Sequence, residues 1–297
     1  MTLVLSLSPA VDVTYELQDL KVGESNRVER VTKKIGGKAT NVASVLKQLG
    51  HEPAILTALG GSVTDWFTTT LSSTFHNSTV IPIATETRTS VTVFDGDATV
   101  LNEPPAAISA AELEEIKRAL SQRLIGEDYL VISGRMPAGV GPNELASLIS
   151  LANQTRIRVC IDTTGDHLLA AAEAHAWLLK PNEIEAMDAA GTKTADEAAK
   201  HLLSLGALNV LLSRGEKGIS LYRHGLETLE FRQIERLNGN PTGAGDASLA
   251  GFIGAKLDGL SDEIALRHSV AAGSAAVLAV SAGEIDLSMF KNLIKPN

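Results

Sequence analysis

Residues 240–252 read Asn-Pro-Thr-Gly-Ala-Gly-Asp-Ala-Ser-Leu-Ala-Gly-Phe, and they carry the strongest indication of the fold. Apolar residues at helical spacing, Leu249 and Phe252 among them, follow two glycines, so we predict that the amides of residues 243–246 begin a helix. Free N–H groups and the helix dipole attract anions there, and glycine lets a phosphate approach the backbone closely. The stretch therefore predicts a phosphate site at the beginning of a helix.

Asp246 places a carboxylate inside this predicted anion site. In one interpretation it is an ordinary first-turn acid, which the helix dipole stabilises. In the other, it takes a proton from a hydroxyl group that attacks a bound phosphate. An ordinary carboxylate pKa suffices for that role, because the hydroxyl releases its proton late in the reaction.

A second glycine cluster lies far upstream, where residues 35–41 read Ile-Gly-Gly-Lys-Ala-Thr-Asn. Residues 42–49 then form an apolar stripe at helical spacing, and Gly50 supplies a left-handed helix stop. The pattern predicts a loop, a helix and then a strand.

Two further segments lie between the clusters, namely Lys-Pro-Asn-Glu-Ile-Glu at 180–185 and Leu-Ser-Arg-Gly-Glu-Lys-Gly at 212–218. In order and spacing, the four segments resemble the ribokinase-like (PfkB-type) carbohydrate kinases, from residue 3 to about residue 282. The chain is most similar to the branch that contains 1-phosphofructokinase and tagatose-6-phosphate kinase. That closer similarity lies in residues 7–12, 23–27, 36–38, 87–89 and 102–104.

Composition narrows the class of protein. The 297 residues are 44% hydrophobic, enough for a large core, and a net charge of -9 argues against nucleic acid or an anionic membrane as partner. Cys160 is the single cysteine, so an intrachain disulfide is impossible, which fits a reducing compartment. Residues 1–7 are typical of a first core strand rather than a leader. We expect a cytoplasmic protein without a membrane span.

Short apolar runs alternate with amphipathic segments along the chain. We predict buried parallel strands at residues 3–7, 54–59, 129–133, 159–162, 177–180 and 210–213. The predicted fold class is thus α/β, a doubly wound and mainly parallel sheet flanked by helices, in one domain spanning residues 1–297. Ligands gather beyond the carboxyl ends of such strands.

Two segments, at about 11–34 and 87–103, break this alternation and read as extended strands with one exposed face. The resemblance implies that they form a small β-sheet lid over the substrate. An apolar lid face would be buried by closure or by a second subunit, so a homodimer through the lid is one expectation.

The resemblance also implies roles for individual residues. Asp246 would be the base, and the amides of Gly243, Ala244 and Gly245 would stabilise the transferring phosphoryl group. ATP would be bound by Lys180, Asn182, Ser213, Gly215, Gly218 and Gly273. Asn182 and Glu185 would act on Mg²⁺ mainly through water, although their spacing alone favours a helix capping box.

At the sugar end, the resemblance implies that Asp12 and Asn41 bind hydroxyl groups and that Gly36 and Gly37 let the backbone approach the ring. A sugar phosphate needs a second anion site, and Arg27, Lys38, Arg88 and Arg135 are the candidates. Singly, each could be an ordinary solvated charge; together they indicate a phosphate clamp.

Three positions depart from the family pattern: Ala39 replaces a glycine, Arg135 replaces a serine, and Arg214 replaces an apolar residue. The substrate indications are mixed, because residues 240–241 are similar to tagatose-6-phosphate kinase and residues 102–104 to 1-phosphofructokinase. We expect a kinase acting on fructose 1-phosphate, with tagatose-6-phosphate kinase or a non-catalytic sugar-phosphate-binding protein as alternatives. A dinucleotide-dependent oxidoreductase is disfavoured, since no Gly-x-Gly-x-x-Gly follows the first strand.

Overall fold

The computed structural model describes residues 1–232, 242–279 and 281–295. The strands in these ranges are β1 (Thr2–Ser6), β2 (Ala10–Glu16), β3 (Arg30–Gly36), β4 (Ala54–Leu59), β5 (Ser78–Pro82), β6 (Thr89–Phe94), β7 (Ala98–Asn102), β8 (Tyr129–Ser133), β9 (Arg158–Asp162), β10 (Leu178–Leu179), β11 (Asn209–Ser213), β12 (Ile219–Arg223) and β13 (Leu229–Phe231). The helices are α1 (Lys38–Gln48), α2 (Thr64–Thr74), α3 (Ala110–Arg123), α4 (Pro142–Asn153), α5 (Asp166–Glu173), α6 (Glu183–Ala190), α7 (Ala195–Leu205), α8 (Ala244–Leu257), α9 (Asp262–Val277) and α10 (Leu287–Leu293). The Asn-Pro pair at 240–241 lies outside the described residues.

Nine strands form the main sheet of the described residues, in the order β13-β12-β11-β10-β9-β8-β1-β4-β5. Neighbours from β11 to β5 are parallel, and β12 and β13 add an antiparallel edge. Every residue of β1, β4 and β8 is buried, as expected for parallel strands covered on both faces. This confirms the predicted α/β class.

Strand β10 is shorter than predicted, with two residues instead of the four at 177–180. The Lys180 amide still donates to the Ile161 carbonyl, but Pro181 has no N–H with which to continue the ladder. Beyond Lys180 the pairing is reduced to an isolated bridge between Asn182 and Ser213, so Lys180 lies at the carboxyl edge of the sheet.

Helices cover both faces of the main sheet. The apolar residues of α3 to α7 pack in one core layer, and those of α1, α2, α8, α9 and α10 pack in the other. None of the helices within the described ranges is long and apolar enough to cross a membrane.

A separate small sheet has the order β3-β2-β6-β7. Side chains alternate between its two faces, and those of Asp12, Thr14, Ser90 and Thr92 are on the face that lines a large cleft. This sheet extends from the carboxyl end of β1, so it stands beside the edge where parallel strands present ligand-binding residues.

Candidate active site

A cleft of about 1110 Å³ lies between the carboxyl ends of the main-sheet strands and the small sheet. Both glycine clusters and both intervening segments contribute to its lining. Of the residues expected at the site, the cleft is lined by Asp12, Gly37, Lys38, Asn41, Arg88, Arg135, Lys180, Asn182, Glu185, Ser213, Gly215, Gly218, Gly243, Ala244, Gly245, Asp246 and Gly273. Gly36 and Arg27 are not among the lining residues.

The anion site at residues 243–246 is the beginning of α8. Gly243 is the N-cap residue with φ +84°, a left-handed conformation that suits glycine, and α8 begins at Ala244. No side chain of the described residues caps this end, so the first amides of the helix can bind an anion. A Cβ atom placed on Gly245 would lie 3.3 Å from Lys180 Nζ, which brings a cation to the same helix end.

Asp246 lies in the first turn of α8 and is only 4% exposed. Asn41 Nδ2 on α1 donates a hydrogen bond of 2.8 Å to its Oδ2 atom. Burial raises the pKa of Asp246 to about 7, and the charge of Asp162 adds to this, while Lys38, Asn41 and Lys180 oppose it. So large a pKa shift could not be predicted from the sequence, because it depends on burial and on groups distant along the chain.

Asp162, at the end of β9, is a fully buried carboxylate beside two lysines. Its Oδ2 atom lies 3.6 Å from both Lys38 Nζ and Lys180 Nζ, and it accepts a hydrogen bond of 3.1 Å from Ser133 Oγ. Burial alone would raise the pKa of Asp162, but the two lysines and Ser133 outweigh burial and hold that pKa below its usual value. In turn, Asp162 raises the pKa of Lys38, so this lysine stays charged.

The sugar end is built around Asp12 on β2. Burial raises the pKa of Asp12 to about 6, against the opposing effects of Arg88, the Gly37 amide and Lys34. A Cβ atom on Gly36 would lie 2.0 Å from Asp12 Oδ2, so glycine is required there to leave room for the carboxylate. Gly36 thus contributes by leaving space for the Asp12 side chain and does not itself line the cleft.

Two arginines add positive charge to this end of the cleft. Arg88 Nε is buried without a hydrogen-bond partner among the described residues, and burial lowers the pKa of this guanidinium. Arg135 follows β8 as an exposed side chain, and it makes no hydrogen bond or ion pair with the described part of the chain. Arg27 is exposed in the segment between β2 and β3, away from the cleft lining.

The opposite end of the cleft is formed by Ser213, the turn at Gly215–Lys217, and α9. Gly273 on α9 lets α8 approach closely, because a Cβ atom there would lie 2.2 Å from Ser248 Oγ. Arg214 points to the other side of the strand and contacts Asp196 and the Tyr222 hydroxyl group. The structure thus gives this unusual arginine a packing role.

Asn182 and Glu185 form the capping box that their spacing predicts. The Glu185 amide donates to Asn182 Oδ1 at 2.8 Å, and the Asn182 amide donates to Glu185 Oε2 at 2.9 Å. Both residues nevertheless line the cleft. The capping and the site interpretations are therefore compatible, since Glu185 keeps a second carboxylate oxygen.

Comparison with known proteins now decides the family. Residues 1–288 match the pfkB family carbohydrate kinases. The chain belongs to the PfkB family of carbohydrate kinases. Kinases of this family use ATP. This chain is 32% identical to a 1-phosphofructokinase of Borreliella burgdorferi over 289 residues, which cover 94% of this chain and 92% of the relative.

A second relative and a solved structure also match this chain over nearly its whole length. A tagatose-6-phosphate kinase of Staphylococcus epidermidis is 26% identical over 99% of this chain and 98% of its own length. The crystal structure of phosphofructokinase-2 from Escherichia coli in complex with potassium superposes with a TM-score of 0.91, at 24% identity, over 99% of this chain and 97% of that chain. The expected ribokinase-like fold is confirmed.

The residues of this PfkB kinase fit a magnesium nucleotide. Free amides at the start of α8 and the ammonium group of Lys180 suit phosphate oxygens. No group of three or more His, Cys, Asp or Glu side chains that could hold a metal occurs in the described residues. A magnesium ion that keeps several waters needs only one or two carboxylates, and Glu185 offers one.

Sequence reasoning missed two features of this kinase. Asp162 is the last residue of the strand predicted at 159–162, but its contact with two lysines could not be predicted from the sequence. Lys34 on β3 was also missed, and its Nζ contacts Glu284 and donates to Ser281 Oγ at 2.8 Å, which joins the small sheet to the loop after α9. The available signal was the alternation of side chains along β3, which puts Lys34, the residue opposite Asp12, on the same face of the sheet as Asp12.

Proposed function

We propose that this PfkB kinase phosphorylates fructose 1-phosphate at its free primary hydroxyl group, with ATP as donor, to give fructose 1,6-bisphosphate. The observation that carries the proposal is the buried carboxylate of Asp246, which shares a cleft with the free amides of α8. The two relatives named as ketohexose-phosphate kinases support this class of substrate.

Asp246 accepts the proton of the sugar hydroxyl group as that oxygen attacks the γ-phosphorus of ATP. The bond from the γ-phosphorus to its bridging oxygen breaks, and ADP leaves. The amides of Gly243, Ala244 and Gly245 donate to the phosphoryl oxygens, where negative charge develops. Bound Mg²⁺ would neutralise nucleotide charge, with Glu185 and Asn182 holding it through water.

The cations of the cleft favour a sugar that already carries a phosphate. Arg88 lies near Asp12, and its buried Nε atom has no hydrogen-bond partner among the described residues, while Lys38 lines the same cleft, so an anionic group beside the sugar hydroxyls would be bound. Arg135 adds a guanidinium group without a described partner. The role of Arg27 in binding the sugar phosphate stays a prediction, since Arg27 is not among the residues that line the cleft.

A substrate panel tests the proposal. ADP release would be measured with fructose 1-phosphate, tagatose 6-phosphate, fructose 6-phosphate and the free sugars, at equal enzyme and ATP concentrations. The proposal predicts the highest kcat/KM with fructose 1-phosphate. A preference for tagatose 6-phosphate would change the proposed substrate but keep the class of ketohexose-phosphate kinases. A preference for a free sugar would contradict the phosphate site. Binding without turnover would indicate a non-catalytic protein.

We also propose that a second copy of the chain covers the face of the small sheet that is turned away from the cleft. Val31 and Leu101 lie on that face and are 53% and 60% exposed. Apolar side chains of this size on a sheet are typical of an interface. Sedimentation analysis should give a dimer, and Leu101→Lys should give a monomer, whereas a monomeric wild type would contradict the assignment.

A further inference from the structure

Asp162 is placed to act on both ends of the cleft at once. Strand β9 alternates between the two core layers, with Cys160 packed towards α1 and α8, so Asp162 faces the same side two residues later. One of its oxygens, Oδ2, is 3.6 Å from each of two ammonium groups, those of Lys38 and Lys180. The other oxygen, Oδ1, is buried and has no hydrogen-bond partner within the described residues.

The two lysines come from different parts of the fold. Lys38 is the first residue of α1, beside the glycines at the sugar end. Lys180 follows β10, and its ammonium group lies beside Gly245 at the start of α8. Asp162 therefore stands between a cation of the sugar end and a cation of the phosphoryl end.

The buried carboxylate of Asp162 strongly favours having both lysine ammonium groups beside it. Removing a charge from water is unfavourable unless opposite charges compensate, and Oδ1 receives no such compensation from the described protein groups. A lysine side chain also loses rotamer entropy when it is held in one place. The shared anion holds both ammonium groups before any substrate binds.

We propose that Asp162 is a positioning residue for phosphoryl transfer, which holds Lys38 and Lys180 in place on the two sides of the transferred group. The proposal rests on the kinase activity proposed above, whichever sugar phosphate is preferred. Asp162 itself touches neither substrate and acts through the lysines.

The charge of Asp162 has a second consequence for Asp246. The charged groups acting on Asp246 are Lys38 of α1, Lys180 after β10 and Asp162 at the end of β9, and Asn41 donates a hydrogen bond to it. Removing the negative charge of Asp162 leaves both lysines in excess, so the pKa of Asp246 falls. A purely structural role for Asp162 would not move this pKa in a defined direction.

The test compares Asp162→Asn with Ser133→Ala, a matched control that removes the hydrogen bond to Asp162 and keeps its charge. Steady-state kinetics would be measured for both substrates across pH, with thermal unfolding of each variant. For Asp162→Asn we expect kcat/KM to fall about 100-fold, the scale for displaced positioning groups, with a higher KM for both substrates. The acidic limb of the kcat/KM profile should move to lower pH, and Ser133→Ala should leave that limb in place.

Three outcomes would overturn the proposal. They are unchanged kinetics in Asp162→Asn, an acidic limb of the kcat/KM profile that stays in place or moves to higher pH, and activity restored by raising the Mg²⁺ concentration, which would indicate a metal role.

If Asp162→Asn does not fold, Asp162→Glu keeps the charge and displaces it by one methylene group. It should raise both KM values and leave the acidic limb in place, and wild-type KM values would overturn the proposal. The wild-type substrate panel separately tests the kinase assignment, because the variants are measured with whichever sugar the wild type phosphorylates.

Discussion

Asn41 on α1 donates a hydrogen bond of 2.8 Å to Asp246 on α8, across 205 positions of the chain. The bond joins the helix that follows the first glycine cluster to the helix that begins at the second. A carboxylate that accepts such a bond is held in one rotamer, at the end of the helix where a phosphate would bind. The base of the proposed reaction is therefore oriented by the sugar side of the cleft.

The activity should fall on acidification through pH 7. A base must be deprotonated, and burial raises the pKa of Asp246 to about 7, so protonation below this pH removes the base. Asp12, with a pKa raised to about 6, should add a second loss at lower pH. The kcat/KM profile for the sugar measures this, and a profile that stays flat down to about pH 5 would contradict it.

Asp246→Asn should stabilise the fold at alkaline pH. The folded-state pKa is raised, so the native state holds this proton more tightly, and stability falls as pH rises from the unfolded pKa towards about 7. Above pH 7 the neutral amide should increase the free energy of unfolding by about 2 to 4 kcal/mol, and near pH 4 the gain should vanish. Urea unfolding at both pH values measures the difference, and an equal effect at both would exclude a charge origin.

Glu284→Gln should weaken closure of the small sheet. Lys34 on β3 contacts Glu284 and Ser281 in the loop after α9, and exposed ion pairs of this kind are worth about 0.2 to 1 kcal/mol. The KM of the sugar phosphate should rise about two- to fivefold at constant kcat. Glu114→Gln, which breaks the exposed Lys117–Glu114 pair on α3, is the matched control and should change neither constant. An unchanged KM in Glu284→Gln would show that the contact does not support closure.

Arg88→Ala should affect the sugar phosphate more than ATP. The guanidinium lies beside Asp12, and its loss removes a charge-assisted contact worth about 1.5 to 3 kcal/mol. We expect the KM of the sugar phosphate to rise about 10- to 100-fold, with little change in the KM of ATP. Arg118→Ala, on the exposed surface of α3, controls for the loss of charge. Equal effects on both substrates would place Arg88 outside the sugar end.

The fold was predictable because its signals are local. Parallel strands buried on both faces give continuous apolar runs, and glycines mark the turns before α1 and α8. The strand at 177–180 was predicted too long, because neither Trp177 nor Lys180 belongs to β10, and Pro181 has no N–H with which to extend the ladder. Asn182 and Glu185 could be placed at a helix start from their spacing alone.

The electrostatics of the site could not be predicted from the sequence. Asp162, Lys38 and Lys180 come together only because β9 and β10 are neighbours and α1 packs on β1 and β8, the latter being the strand next to β9. The raised pKa of Asp246 follows from burial beneath the cleft, which no local pattern reveals. The contact of Arg214 with Asp196 likewise depends on α7 packing beside β11.

The most direct test of the central claim is turnover by Asp246→Asn, measured together with the affinity of this variant for sugar phosphate and for ATP. The amide cannot accept the hydroxyl proton, but the free amides of α8 and the cations of the cleft remain. We predict that kcat falls by about 10²- to 10⁴-fold, the range for loss of a general base, while both dissociation constants stay near those of the wild type. Turnover within tenfold of the wild type would contradict the assignment of Asp246 as the base.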